Sequence, residues 1–261
     1  MKGISLHSIV PVRAEARESA EQNTQMLFGE LCEIIETAER WRFIRLENDG
    51  QEGWVDAKMI TPMSDEEYAA YSEAYKTAAW VAFPMAYAMS ENNAQTIPLT
   101  AGTRLTNYQN GQFEVLGVRF RIDPGMVITA PMELNEQNLL QAVRFFLNVP
   151  YLWGGKNALG MDCSGFTQVI MSLFGKHLLR NASQQITQGK AIPLQEAKAG
   201  DLAFFGKDKI THVGIVIDAS RIVHCSGRVK VEKLDETGIY SIEQGGYSHH
   251  LVSVIDSKSV L

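Results

Sequence analysis

The chain has 261 residues, of which 45% are hydrophobic and 21% are charged, and its formal net charge is −6. This composition is typical of a folded globular protein. The acidic balance, without any Lys/Arg cluster, argues against nucleic acid and anionic membranes as partners. No apolar run approaches the roughly 20 residues that span a bilayer, so no membrane insertion is expected.

The first residues, "MKGISLHSIVPVRAEARE", lack the apolar core and small-residue cleavage site of a secretory signal. We therefore expect a cytoplasmic protein, or a periplasmic or secreted one if an export signal was trimmed from the chain. The cysteines are Cys32, Cys163 and Cys225, an odd and scattered set without a C-x-x-C pair. This spacing argues against a disulfide framework and against a structural zinc site.

Residues 1–62 contain short apolar runs separated by turn residues, which predicts a small all-β barrel. A short helix is expected next, within a linker over 63–79, with Ser64 as its N-cap and acidic residues in its first turn. Residues 80–131 loosely repeat the strand and turn pattern of the first segment, which suggests a second, related β module.

The pattern changes after residue 131. An apolar stripe of helical spacing follows Asn135 and stops before Pro150, and a second stripe follows Cys163 and ends at Gly175. Short strands come next, among them "DLAFF", "THVGIVID" and "RIVH". Helices followed by antiparallel strands predict an α+β domain over 132–261.

Cys163 lies in "YLWGGKNALGMDCSGF", where the second helix is predicted to begin. The unpaired N–H groups at a helix N-terminus stabilise a thiolate and can also receive an oxyanion. The preceding glycines, Gly154, Gly155 and Gly160, would let a substrate approach the backbone closely. Cys163 is therefore a candidate nucleophile, although a buried cysteine that only fills space fits the same pattern.

His212 and His224 are candidates for the base and its partner. They lie twelve residues apart on strand-like segments, so on one flat strand they would share a face. In a hairpin, this requires an odd number of turn residues or a bulge, because a regular two-residue turn would place them on opposite faces. The remaining histidines, His7, His177, His249 and His250, are interpreted as surface or satisfied core residues, as are Cys32 and Cys225.

The segments "YLWGG", "MDCSGF", "DLAFF", "THVGIVI" and "IVHCSG" occur in this order over about the last 130 residues. Together they resemble the catalytic domain of the NlpC-type cell-wall cysteine peptidases, a papain-like family. The upstream "GELCEII", "WRFIRL" and "DGQEGWVDAKMI" are similar to bacterial SH3-type domains. The resemblance implies two SH3-like barrels, over 1–62 and 80–131, followed by a papain-like domain over 132–261.

The same resemblance assigns roles to single residues. Cys163 is implied to be the nucleophile, His212 the base and His224 the residue that orients it, with no metal or organic cofactor. Tyr151 matches a tyrosine that hydrogen-bonds substrate or oxyanion, and Asp162 and Ser164 match positions that contact substrate.

Two further positions concern recognition of a free substrate amine. Glu21 matches a segment of the first SH3-type domain that supplies an acidic residue, although a solvated loop glutamate fits equally well. Asn181 stands where an acidic residue is expected, in Arg180-Asn181-Ala182. The missing charge would either remove strict recognition of the amine or place that recognition on Glu21.

The resemblance implies a peptidase that cuts the bond between γ-D-glutamate and L-Lys or diaminopimelate in murein peptides that begin with a free L-Ala. It implies a role in cell-wall peptide recycling, and we expect a monomer. Two other functions remain open from the sequence. One is a cell-wall-binding hydrolase that acts on intact peptidoglycan, and the other is a Cys-His acyltransferase or amidase.

Overall fold

The computed structural model of the chain describes residues 1–260. It contains two compact units, Met1–Ala130 and a second unit that begins at Pro131. Each unit encloses its own clusters of buried apolar side chains. Within the described residues, no helix is long and apolar enough to cross a membrane.

The first unit begins with a seven-stranded antiparallel sheet in the order β3-β2-β6-β5-β4-β1-β7. Alternate side chains such as Val10, Val12, Ile44 and Val55 point into a common core, as expected for strands with one buried face. The strands are β1 Lys2–Ile4, β2 Ile9–Arg13, β3 Gln22–Leu27, β4 Leu31–Ala38, β5 Trp41–Leu46, β6 Glu52–Asp56 and β7 Thr61–Met63.

Helix α1, Asp65–Lys76, follows this sheet. The side chain of Ser64 accepts a hydrogen bond from the backbone of Glu67, whose carboxylate accepts one from the backbone of Ser64. The predicted N-cap is therefore confirmed, and the pair forms a capping box that satisfies two backbone donors.

The rest of the first unit is also β-structure, in two small antiparallel sheets of order β10-β9-β13-β12 and β11-β8-β14. Its core is built around an edge-to-face and stacked aromatic group of Phe28, Phe113 and Phe120. The strands are β8 Ala79–Val81, β9 Met85–Ser90, β10 Thr96–Thr100, β11 Arg104–Leu105, β12 Gln112–Val115, β13 Val118–Ile122 and β14 Val127–Ile128.

Up to residue 260, the second unit contains three α-helices, α2 Glu136–Val143, α3 Cys163–Ser172 and α4 Ala182–Gln185. Asn135 caps α2 as predicted, but the helix ends before the apolar stripe does, and Leu147 lies exposed. Helix α3 begins at Cys163, and its predicted apolar face is buried. Helix α4 was not predicted, because four residues are too few to show a periodic pattern.

The sheet of the second unit has the order β17-β23-β18-β19-β20-β21-β22, and β22 also pairs with β23. This extra pairing closes six antiparallel strands into a barrel, and α3 packs against β19 and β20. The strands of this unit are β15 Lys156–Asn157, β16 Gly160–Met161, β17 Lys190–Ile192, β18 Leu202–Gly206, β19 Ile210–Asp218, β20 Arg221–Ser226, β21 Arg228–Leu234, β22 Gly238–Ser241 and β23 Gly246–Asp256.

Candidate active site

Cys163 is the first residue of α3, and its side chain is nearly buried. Backbone hydrogen bonding from Ser164 and Val213 acts to lower the pKa of the Cys163 thiol, so both residues lie near the sulfur. Val213 follows His212 on β19, so the start of α3 lies against the strand that carries the candidate base. All three cysteines are free within the described residues, as the absence of a disulfide pattern predicted.

Asp162 holds the start of α3 in place. Its carboxylate accepts hydrogen bonds from the backbone N–H of Gly165, at 2.7 Å, and of Gly154, at 2.9 Å. It also binds both terminal nitrogens of Arg180, at 2.5 and 3.0 Å. Arg180 is 1% exposed, so this is a buried, bidentate ion pair. Because its oxygens accept from these donors, the Asp162 side chain holds residues 154–162, the nucleophile loop, against the segment before α4.

His212 and His224 lie on the adjacent strands β19 and β20, and their rings meet at right angles. Nε2 of His212 is 2.8 Å from Nδ1 of His224. The turn between the strands has two residues, but the pairing shifts between Val216 and Asp218, so Ile217 is the extra residue of a β-bulge. Of the two arrangements that would place both rings on one face, the structure has the bulge.

Two glycines allow neighbouring segments to pack closely, one between the strands that carry the histidines and one inside the nucleophile loop. A Cβ on Gly214, which pairs with His224, would lie 2.9 Å from the Cβ of His224. A Cβ on Gly155 would lie 2.4 Å from the carbonyl oxygen of Gly160. Gly155 and Gly160 therefore serve close packing inside the loop, which the sequence did not reveal.

His249 was interpreted as a surface or core residue, but it lies beside the two candidate catalytic histidines. Its ring stacks on His212 with centroids 4.1 Å apart and planes 28° apart. One ring nitrogen from each of His212, His224 and His249 lies within 4.8 Å of the other two, which is close enough for the three to share a metal ion. Of the ring nitrogens, Nε2 of His212 and Nδ1 of His224 already face each other at 2.8 Å as hydrogen-bond partners.

Burial controls the protonation of the site. It raises the pKa of the Cys163 thiol to about 11, and the charge of Asp162 acts in the same direction. Burial also lowers the pKa of His212 well below its usual value and that of His249 to about 4. Both shifts favour the neutral thiol and the neutral imidazole. This differs from the expected thiolate, because loss of hydration outweighs the N–H groups at the helix start.

His224 has a carboxylate partner that the sequence did not reveal. Its Nε2 lies 2.9 Å from an oxygen of Glu232 on β21. Burial lowers the pKa of His224, and the hydrogen bond to Glu232 only partly offsets this effect. Burial alone would raise the pKa of Glu232, but the hydrogen bond from His224 and nearby positive charge lower it to about 2. Glu232 is thus an anion across the physiological range.

The other predicted site residues lie in different surroundings. Ser164 is buried, and its hydroxyl accepts a hydrogen bond from Arg180 at 2.9 Å. Tyr151 is partly exposed, and the pKa of its hydroxyl is raised by burial and by the nearby Cys163, so it remains a hydrogen-bond donor. Asn181 is exposed at the start of α4 and donates to the side chain of Gln184. Glu21 is exposed in the first unit, immediately before β3.

Family models match two parts of the chain. Residues 148–254 match the NlpC/P60 family, and residues 12–60 match the bacterial dipeptidyl-peptidase Sh3 domain. These matches agree with the expected N-terminal SH3-like domain and with the expected catalytic domain. The matched range of the first model includes Cys163, His212, His224, Glu232 and His249.

Comparisons with individual proteins agree with these family matches. A gamma-D-glutamyl-L-lysine dipeptidyl-peptidase of Bacillus subtilis (strain 168) is 31% identical over 222 residues, which cover 77% of this chain and 71% of the relative. Dipeptidyl-peptidase 6 of Lysinibacillus sphaericus is 35% identical over 38% of this chain and 37% of its own. An NlpC/P60 family protein from Bacillus cereus ATCC 10987 has the same fold, with a TM-score of 0.82 at 18% identity over 98% of this chain and 99% of that one.

Proposed function

This chain belongs to the NlpC/P60 family of cysteine peptidases, and we propose that it cleaves the γ-D-glutamyl bond to L-Lys or diaminopimelate in murein peptides with a free N-terminal L-Ala. The main support is the 31% identity, over 77% of the chain, to a gamma-D-glutamyl-L-lysine dipeptidyl-peptidase. The match of residues 12–60 to the Sh3 domain of bacterial dipeptidyl-peptidases supports the same substrate class.

In the proposed reaction, the sulfur of Cys163 attacks the γ-carbonyl carbon of D-glutamate. Nδ1 of His212 takes the thiol proton, because Nε2 of that ring is engaged with His224. The proton then passes to the leaving amine, and a thioester remains on Cys163. Water, deprotonated by the same nitrogen, hydrolyses the thioester and restores the thiol.

The negative oxygen of the tetrahedral intermediate needs donors close to Cys163. We propose the backbone N–H of Cys163 at the start of α3 and the hydroxyl of Tyr151. The raised pKa of Tyr151 supports its part, since a protonated phenol can donate a hydrogen bond throughout the working pH range.

The neutral resting pair has a consequence for the order of events. Because the pKa of Cys163 is raised to about 11 and that of His212 is lowered, thiolate forms as attack proceeds and not beforehand. His212 then acts as a general base during bond formation. Substrate that displaces water around the sulfur does not need to break an existing ion pair.

Four further residues are proposed to take part in substrate selection. Glu21 is proposed to bind the free amine of L-Ala, with Asn181 contributing a neutral hydrogen-bond partner in place of an acidic one. Asp162 and Ser164 are proposed to shape the glutamate site, and their contacts with Arg180 support a role that acts mainly through position.

The organisation of the whole chain forms part of the same proposal. We propose that 80–131 is a second SH3-type barrel, which the two small sheets over β8–β14 support. The proposed boundaries are 1–62, a helical linker over 63–79, 80–131 and 132–261. A monomer in the cytoplasm, acting on peptides from cell-wall recycling, fits a preference for small, free substrates.

The proposal is tested by incubating the full chain with L-Ala-γ-D-Glu-L-Lys and with its diaminopimelate counterpart, each with a free and an N-acetylated amine. Mass spectrometry should detect L-Ala-D-Glu from the free peptides only, and none with Cys163→Ala. Equal cleavage of the capped peptides would contradict amine recognition. Release from insoluble peptidoglycan alone would favour a wall hydrolase, and transfer to an added amine would favour an acyltransferase.

A further inference from the structure

Three side chains form a continuous hydrogen-bonded line behind the candidate nucleophile. Nε2 of His212 lies 2.8 Å from Nδ1 of His224, and Nε2 of His224 lies 2.9 Å from a carboxylate oxygen of Glu232. The residues come from the neighbouring strands β19, β20 and β21. The register pairs Gly214 with His224 and Ile222 with Glu232, so all three side chains lie on one face of the sheet.

We propose that Glu232 is a positioning residue that fixes the tautomers of both imidazoles and thereby leaves Nδ1 of His212 free of a proton. The proposal rests on the assignment of His212 as the base for Cys163. It concerns a residue that the Cys-His-His arrangement alone does not include.

The donors and acceptors along this line fix the position of each ring proton. An ionised carboxylate can only accept, so Nε2 of His224 must carry a proton. In neutral His224, Nδ1 is then an acceptor, and Nε2 of His212 must donate to it. Neutral His212 has one ring proton, so its Nδ1 carries none and can accept the thiol proton.

The same line supports the charged state that attack creates. When the S–H bond of Cys163 breaks and an N–H bond forms at Nδ1, His212 becomes an imidazolium. Its Nε2–H still donates to His224, whose Nε2–H still donates to Glu232. The buried negative charge therefore stabilises the new positive charge without any further movement of protons.

The surroundings of Glu232 favour this role. Its side chain is 8% exposed, and Nζ of Lys230 on the same strand lies 3.3 Å from its carboxylate. Lys230 also lies 3.5 Å from Glu243, which is half exposed and pairs with Arg228. Lys230 balances the charge of Glu232, whereas the hydrogen bond from His224 orients the Glu232 carboxylate.

Protonation of His224 would reverse the pattern. An imidazolium donates from both nitrogens, so Nδ1–H would donate to Nε2 of His212 and force the proton of His212 onto Nδ1. The groups that face His224 are Glu232 and Lys230 on β21, His212 on β19 and His249 on β23. Glu232 raises the pKa of His224, while burial and Lys230 lower it, and burial prevails.

Glu232→Gln tests the proposal because it keeps the shape and removes the obligatory acceptor. We expect kcat to fall at least about tenfold with little change in KM, since general base catalysis is worth about 10²–10⁴-fold. Glu243→Gln is the matched control, because it removes a carboxylate bound to the same Lys230 without touching His224. An unchanged kcat in Glu232→Gln would overturn the proposal.

A spectroscopic measurement separates this role from a structural one. Nitrogen-15 NMR of the histidine rings in the full chain should show His212 and His224 as Nε2–H tautomers at neutral pH. In Glu232→Gln, a population of Nδ1–H tautomers should appear, and Glu232→Asp should restore part of the original pattern. A wild-type His212 that carries its proton on Nδ1 would overturn the proposal even if the glutamine variant did not fold.

The tautomer measurement needs no substrate. If the murein peptides are not cleaved but the tautomers depend on Glu232, the proposed function fails while this inference stands. If the peptides are cleaved equally by wild type and Glu232→Gln, this inference fails while the proposed function stands.

Discussion

At the scale of single residues, the candidate site depends on packing as much as on charge. The nucleophile is enclosed, so its pKa rises, and the two imidazoles are enclosed, so theirs fall. Neutral groups held in hydrogen-bonded positions can exchange a proton without prior separation of charge. The residues that hold these positions are therefore as informative to test as the nucleophile.

Gly214 provides one such test. A methyl group at this position would meet Cβ of His224 at 2.9 Å and a methyl of Ile222 at 2.7 Å. We expect Gly214→Ala to push His224 away from His212 and to lower kcat by up to about 10²-fold, the effect of a displacement of about 1 Å. Gly246→Ala is the control, because a Cβ there meets nothing within 4 Å. Steady-state kinetics would show equal losses in both variants if the contact were unimportant.

Asp162 provides a second residue-scale prediction, about stability. Asp162→Asn leaves the guanidinium of Arg180 buried without its anion, which typically costs about 3–5 kcal/mol. Glu136→Gln breaks the exposed pair with Arg221 and should cost at most about 1 kcal/mol. Urea unfolding of both variants measures the difference. A loss below about 1 kcal/mol in Asp162→Asn would show that the buried pair does not stabilise the start of α3.

At the scale of elements, the sequence predicted what is local and left open what depends on pairing. The caps of α1 and α2 and the start of α3 at Cys163 follow from residue types and periodicity. The shared face of His212 and His224 was predicted only under a condition on the turn, since nothing in "DASR" distinguishes a longer turn from a bulge.

The residues that the sequence analysis missed have the same explanation. His249 reaches His212 because β23 pairs with β18, which pairs with β19, and this register spans about forty residues. Glu232 reaches His224 because β20 and β21 form a hairpin in which Ile222 pairs with Glu232. A diagonal neighbour across two strands has no fixed spacing along the chain, so no motif could have indicated either residue.

The bulge itself can be tested by two deletions. Removing Ile217 takes away the extra residue but keeps Gly214 opposite His224, so both rings remain on one face. Removing Val223 instead moves His224 to the opposite face, because one step along a strand inverts every side chain. Each deletion removes one buried apolar residue, so the two are matched for lost packing. We expect Cys163 alkylation to stay sensitive to His224→Ala only in the Ile217 deletion, because only there does His224 still contact His212; equal sensitivity in both would contradict the register.

At the scale of the whole molecule, the buried titratable groups couple folding to pH. The lowered pKa values of His212, His224 and His249 mean that the folded chain binds fewer protons than the unfolded chain once pH falls below about 6.5, the ordinary value for histidine. At alkaline pH, the raised pKa values of the Cys163 thiol, to about 11, and the Cys32 thiol, to about 12, also make stability depend on pH. There the unfolded chain loses its thiol protons first.

The free energy of unfolding should therefore be greatest between about pH 6.5 and 8.5. Below that range it should fall by up to about 1.4 kcal/mol per pH unit for each of His212 and His224, and by less for the partly exposed His249, because protonation favours the unfolded chain. Glu232, with a pKa near 2, adds to the loss below about pH 4.5. Urea titrations at a series of pH values measure this slope, and His224→Gln should reduce it by one group. A free energy that stays constant from pH 6.5 to 4.5 would show that the buried imidazoles gain protons as readily in the folded chain as in the unfolded one, which is incompatible with a neutral catalytic pair.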